Sequence, residues 1–290
     1  MTLVRPRASQ KASCMLVLCV VIAMGCMDVQ NNDTSQRGVQ GTSAGGKSDQ
    51  VDADERPVPM LHEAYWLTGE SRIMVEDIED GDPHEIVSHF SALVTVGQDG
   101  RDLTLILQPC DIVLPKVDDK DLELDLDVIQ TLNSGPLLGG LVPSEEDEGW
   151  DLWTEETVML LGVDLDDPHS DPMPTHKNDP AVVDVDDDGK PGISVGIAAF
   201  KIYAAFRFRI GLSARLTEDD AFVGETSLEA EFQILGDNIP FFNAKKAAED
   251  AIDEVVVVDE SHSFTMIPIS PDEATCEGPF GNEEHVSMYD

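Results

Sequence analysis

A period-two alternation of apolar and polar residues constrains the fold of this chain more than any other feature. Phe206, Phe208, Ile210 and Leu212 alternate with Arg207, Arg209 and Gly211. Leu228, Ala230, Phe232 and Ile234 alternate with Glu229, Glu231 and Gln233. A β-strand turns successive side chains to opposite faces, so each run has one face for a core and one for polar partners. A hairpin turning near Asp219 sets Arg209 opposite Glu229 and Arg207 opposite Glu231. The same register sets Phe206 against Phe232, Phe208 against Ala230 and Ile210 against Leu228. Charge pairing and apolar pairing agree, and a one-residue slip would break both.

The pattern recurs along the chain. Leu103, Leu105 and Leu107 share a face, and Leu122, Leu124, Leu126 and Val128 alternate with Asp121, Glu123, Asp125 and Asp127. Further strands are expected at Tyr65–Val75, Ile86–Val96, Thr157–Val163, Ser194–Tyr203, Glu254–Asp259 and Phe264–Ile269. Gly97–Gly100 reads as a hairpin loop. One helix is expected, capped by Asn243, with Ala244, Ala247, Ala248, Ala251 and Ile252 at helical spacing. Strands and helices do not alternate regularly, which argues against a doubly wound α/β sheet. The expected fold is mainly β: an antiparallel sandwich or barrel with one short helix, a lipocalin-like barrel being one version. Trp66, Trp150 and Trp153 are candidates to line an apolar pocket, or to pack in the core.

The first residues carry an address. Arg5, Arg7 and Lys11 precede a short apolar run from Ala12 to Gly25. Basic start, apolar run and small residue before a cut make a signal peptide rather than a spanning helix. Ile22-Ala23-Met24-Gly25-Cys26 resembles the lipobox of bacterial lipoproteins, where a dedicated peptidase cuts before a cysteine that then receives lipid. The resemblance implies that Cys26 is lipidated and held at the outer membrane of a cell envelope. Residues 27–59 are dominated by Asn, Asp, Ser, Gln and Gly and read as a disordered tether. The expected organisation is a signal peptide over 1–25, lipidated cysteine and tether over 26–59, and a β-rich domain over 60–290.

Removal of the signal peptide leaves Cys110 and Cys276 beside the lipidated cysteine. In an exported chain that pair predicts one disulfide. The formal charge is −40, from 18 basic and 58 acidic residues. Losing the three basic residues before Cys26 takes it to −43. Nucleic acid and anionic lipid surfaces are poor partners for such a surface, because both are bound through Lys and Arg. The membrane partner is reached through the lipid anchor alone. The acidic coat fits either a cationic partner or simple solvation.

One motif points to a metal. Asp184-Val185-Asp186-Asp187-Asp188-Gly189-Lys190 resembles the D-x-D-x-D-G core of calcium loops in EF-hands, dockerins and propeller repeats. Ca²⁺ takes six to eight oxygens in a tight shell, and carboxylates at alternate positions of a curling loop converge on one point. The resemblance makes Asp184, Asp186, Asp188 and the Lys190 carbonyl the candidate ligands. Val195 and Gly192 stand where those families place their last carboxylate. An acidic turn between strands is the plain alternative. The loop ends a proline-punctuated, acid-rich segment from Asp164 to Pro191, too long for an ordinary connection.

Two weaker patterns accompany it. Gly192-Ile193-Ser194-Val195-Gly196 matches the G-x-S-x-G of hydrolase nucleophile elbows, but strand, not helix, is expected after Ser194. Asp166, Asp167, His169, Asp171 and His176 offer transition-metal chemistry without a familiar spacing. The expected function is therefore a lipid-anchored envelope protein of non-enzymatic binding or structural role, with Ca²⁺ as a candidate stabilising ion. Its rivals are a carrier of an apolar ligand in a β cavity and a serine hydrolase using Ser194. The chain also looks broadly similar to acidic lipoproteins with a D-x-D-x-D-G loop and a late Thr-Cys, here Thr275-Cys276, a resemblance that implies no activity.

Overall fold

The computed structural model describes residues 56–77, 83–114, 122–132, 135–145, 148–197, 200–238, 246 and 255–276. The signal peptide and the lipidation expected at Cys26, the tether expected up to residue 55 and all but Lys246 of the helix expected from Asn243 fall outside these residues. Eleven strands form one antiparallel sheet. They are β1 (Ala64–Asp77), β2 (Pro83–Asp99), β3 (Asp102–Val113), β4 (Leu122–Leu124), β5 (Pro136–Pro143), β6 (Trp150–Thr154), β7 (Thr157–Leu161), β8 (Ile193–Ile197), β9 (Phe200–Leu216), β10 (Phe222–Asp237) and β11 (Val255–Pro268). Among the described residues a short helix, α1, spans Leu126–Thr131, and Lys246 is also helical.

The sheet closes. Strands β10-β11-β1-β2-β3-β5-β6-β9 follow one another, and β9 pairs β10 to complete an eight-stranded ring. Closure removes the open edges that a flat sheet would expose. Strand β9 is the spine: β10 runs along one edge, while β8, β7 and β6 take successive stretches of the other. Strand β4 extends the sheet beyond β8.

The β9–β10 ladder has the register expected from sequence: Arg209 faces Glu229, Arg207 faces Glu231, Phe206 faces Phe232, Phe208 faces Ala230 and Ile210 faces Leu228. The β2–β3 hairpin turns after Asp99, with Gly100 at φ 62°.

Three expectations need correction. The alternation over Leu122–Val128 is a strand only to Leu124, after which the chain turns into α1. Asp125 decides this: its side chain accepts from the Asp127 N–H and its carbonyl from Ile129 N, a helix N-cap that alternation does not reveal. Val128 and Ile129, neighbours in sequence, are then both buried, which a strand could not achieve on one face. Ser194–Tyr203 is not one strand but parts of β8 and β9, paired as a hairpin with Val195 opposite Ile202. Glu254–Asp259 and Phe264–Ile269 are two ends of the single strand β11.

Among the described residues the interior holds two apolar clusters. Tyr65, Leu67, Val94, Leu105, Leu137, Leu141, Leu152, Phe222 and Met266 fill the end of the ring where all eight strands meet. Ile129, Leu161, Ile193, Val195, Phe206 and Ile234 form the second, beneath α1 and β4. Two smaller clusters sit on the outer face of the sheet. Val163, Leu165 and Met173 of the long irregular segment pack on Ala205 and Leu235. On the opposite flank Trp66, Cys110 and Ile269 pack with Ala274 and Cys276. There the Cys110–Cys276 disulfide, with Cα atoms 5.0 Å apart, straps the chain after β11 across β3.

Candidate functional site

The D-x-D-x-D-G loop lies between the irregular segment and β8. Asp184 and Gly192 form a parallel bridge, so the chain leaves and returns side by side. The curl between them needs left-handed backbone at Asp187 (φ 53°), Gly189 (φ 77°) and Gly192 (φ 83°). Gly192 also lies against β9, where an added Cβ would meet the Ala204 carbonyl oxygen at 2.1 Å.

Within this curl the three carboxylates come together. One ligand atom each from Asp184, Asp186 and Asp188 lies within 4.8 Å of the other two, an arrangement that could hold a metal ion. All three carboxylates also accept hydrogen bonds from the loop or from the start of β8. Asp184 Oδ2 accepts from Gly189 N at 2.9 Å and Asp186 Oδ2 from Ser194 N at 2.8 Å. Asp188 accepts from Lys190 N at 2.8 Å and from the Ser194 hydroxyl at 2.7 Å. Asp186 Oδ1 is buried with no hydrogen-bond partner. A buried carboxylate oxygen in that position is destabilising unless a cation or donor meets it. Burial raises the Tyr203 phenol above its ordinary pKa, and Asp188, Asp237 and Asp186 push it the same way, so the negative field reaches β9.

Ser194 sits within β8, opposite Tyr203, and is buried. Its hydroxyl is committed to Asp188, and β8 leads into β9 rather than a helix. Lys190 is exposed and enters the loop through its backbone N–H. Asp166, Asp167, His169, Asp171 and His176 do not converge: among the described residues only the Asp184 trio does. Asp167 instead organises a local turn, accepting from His169 N and the Ser170 hydroxyl, which hold its pKa below the ordinary value.

A second feature lies inside the ring. A cavity of about 140 Å³ separates the two interior clusters, with Leu67 and Leu212 on one side and Met159, Leu161, Phe208 and Ile129 on the other. None of the three tryptophans lines it. Trp66 is under the disulfide strap, Trp150 is in the core of the closed end, and Trp153 is 44% exposed. Two lining residues, Ser91 and Thr226, are buried with hydroxyls that have no partner. An unmet buried hydroxyl is destabilising by about 1–3 kcal/mol. Ser71 also lines the cavity and is hydrogen-bonded to Nδ1 of buried His262 at 2.9 Å. Burial keeps the His262 imidazole below its ordinary pKa, against the opposite pull of Glu260. The sequence reading missed Ser71, Thr226 and His262. Their inward placement follows only from registers between β1, β9, β10 and β11 that no local pattern announces.

No family model, no curated protein and no solved structure matches the chain. The reading of both features therefore rests on their own chemistry.

Proposed function

We propose that the chain is a lipid-anchored cell-envelope protein with a binding or structural role, stabilised by Ca²⁺ at Asp184, Asp186 and Asp188. The observation that carries the metal reading is the convergence of three carboxylates with Asp186 Oδ1 buried and unmet. Oxygen-only donors favour Ca²⁺ over the softer transition metals. The disulfide suits an oxidising compartment, in keeping with the exported, lipidated chain implied by Gly25-Cys26.

Two experiments test the reading. Millimolar Ca²⁺ raises the melting temperature of the wild type but not of Asp186→Ala, since a ligand held only by the native state stabilises it by mass action. An equal rise in both proteins would mean general screening of an acidic surface, and no site. For the anchor, a palmitate analogue labels the wild type in bacteria and does not label Cys26→Ser; labelling of both rejects Cys26.

A second reading, a carrier of an apolar ligand, is favoured by the interior cavity and its apolar lining. Binding of a small hydrocarbon to the full chain tests it.

A further inference from the structure

The cavity has a chemical signature that goes beyond "apolar". Leu67, Leu107, Ile129, Phe208 and Leu228 surround it, and among its described lining residues there is no Lys or Arg. Among the described lining residues the one carboxylate is Asp111. His89 is also on the lining, held below its ordinary pKa by burial against the pull of Glu70, so at pH 8 an anionic head would enter this space without a counter-charge, near that carboxylate and in a chain of net charge −40. His262, reached through Ser71, is held towards its neutral form by burial and supplies no fixed positive charge.

Of the two unmet lining hydroxyls, Ser91 stands opposite the Asp111 carboxylate in the β2–β3 ladder, whereas Thr226 is flanked by leucine. Thr226 faces Leu212 across the β9–β10 ladder, and both residues line the cavity. Its side chain is 8% exposed and its hydroxyl has no partner. A valine there would fill the same space without an unmet donor and acceptor. A lone water would need two or more polar partners to be held in that space. The hydroxyl is well placed for a partner that arrives with an apolar body.

We propose that this cavity binds an uncharged aliphatic molecule bearing a single hydroxyl or carbonyl, with its body among the leucines and its polar head on Thr226 Oγ1. The proposal deepens the carrier reading and rests on it. The volume of about 140 Å³ sets the scale: a cavity of about 150 Å³ lined by Leu, Ile and Phe admits benzene, so a body of about six carbons fits here.

The test is calorimetric titration of the full chain with 1-hexanol, hexanoate and benzene at pH 8. Three proteins are compared: wild type, Thr226→Val and Thr226→Ser. The expected result is hexanol binding at least about ten-fold tighter than hexanoate, because the latter must bury an unpaired charge. Thr226→Val weakens hexanol about five-fold, leaves benzene unchanged and does not lower the melting temperature, since it removes one hydrogen bond and no volume. Thr226→Ser keeps the hexanol affinity within about two-fold. Hexanoate binding as tightly as hexanol overturns the proposal, as does Thr226→Val leaving hexanol unaffected. In either case benzene binding would leave the carrier reading standing. Failure of all three probes to bind removes both.

Discussion

Arg207 on β9 faces Glu231 on β10, yet the arginine side chain is only 6% exposed while its glutamate partner is 41% exposed. The difference comes from the segment between β7 and β8. That segment lies over Arg207 and accepts from its Nη1 through the carbonyls of Pro168, at 3.1 Å, and Asp171, at 2.7 Å. Arg207 thus pins a long irregular chain to the outside of the barrel. Arg209, one step along the same face, donates to Glu229 and to the His169 carbonyl.

Arg207→Ala should therefore lower stability by about 2–3 kcal/mol in urea denaturation, since it removes a buried side chain and leaves two half-buried carbonyls as well as the glutamate without their donor. Glu231→Gln should lose about 1 kcal/mol or less, its carboxylate being partly solvated. Arg207→Lys should behave like the alanine variant, because an ammonium cannot span the fork that reaches both carbonyls and the carboxylate. A lysine variant as stable as wild type would show that charge alone holds the segment.

The disulfide closes a loop with a sequence separation of 166. Reduction, or Cys276→Ala, should cost about 5 kcal/mol in the chain-entropy account. It should also uncover Trp66, which is 1% exposed and packs beside Cys110. A red shift of tryptophan emission on reduction checks this; an unchanged spectrum would mean that the strap stays packed without its bond.

Two glycines of the metal loop should separate backbone strain from crowding. Gly189→Ala meets no atom within 4 Å, so only the left-handed backbone opposes it, at about 1–2 kcal/mol. Gly192→Ala adds the collision with the Ala204 carbonyl and should cost at least about 3 kcal/mol more. Melting curves of the two variants give the comparison; equal losses would contradict the close approach of loop and β9.

Acid should weaken the fold through His262. Burial lowers its folded pKa below the 6.5 of an unperturbed histidine. The unfolded chain thus binds the proton more readily than the native state. Stability is full above about pH 6.5, falls as pH drops below it, and levels off once the native imidazole is itself protonated. His262→Gln should reduce the slope of the urea midpoint between pH 7.5 and 5.5, leaving a remainder from His89, which burial shifts in the same direction. An unchanged slope would place the acid sensitivity elsewhere.

Much of the barrel was legible because two faces had to agree at once. Glu229 and Glu231 fix the same β9–β10 register as Leu228, Ala230 and Phe232, so sequence alone set both strand type and partner. The Cys110–Cys276 pair was legible by elimination, and the aspartate loop by spacing. The polar face of β9 was not. Nothing local says that Pro168 and Asp171 will return to cover Arg207, because the contact joins residues 39 and 36 apart in sequence. Strands β5 and β6 were also missed: Leu137, Leu138, Gly139 and Gly140 do not alternate, since two glycines sit where β3 and β6 press close. The ring of eight strands was beyond reach, as it rests on pairings such as β1 with β11.

The ring is not equally strong all the way round. The β9–β10 hairpin is paired along almost its whole length, from Leu216–Phe222 down to Ile202–Asp237. Its joints to the rest of the ring are short: β10 meets β11 only from Phe222 to Glu225, and β9 meets β6 only from Ser213 to Arg215. Both joints lie at the same end of the hairpin, near its turn. The hairpin is thus a stiff panel joined to the ring near its turn, with β7 continuing from β6 along the edge of β9, and rupture of the two short seams opens that end without breaking the panel's own ladder. Amides of those seams should exchange with solvent by a sub-global opening while the panel's central amides wait for complete unfolding. Thr226 lies on the panel one residue beyond the β11 seam, so that opening is the motion that would bring the interior into contact with the outside.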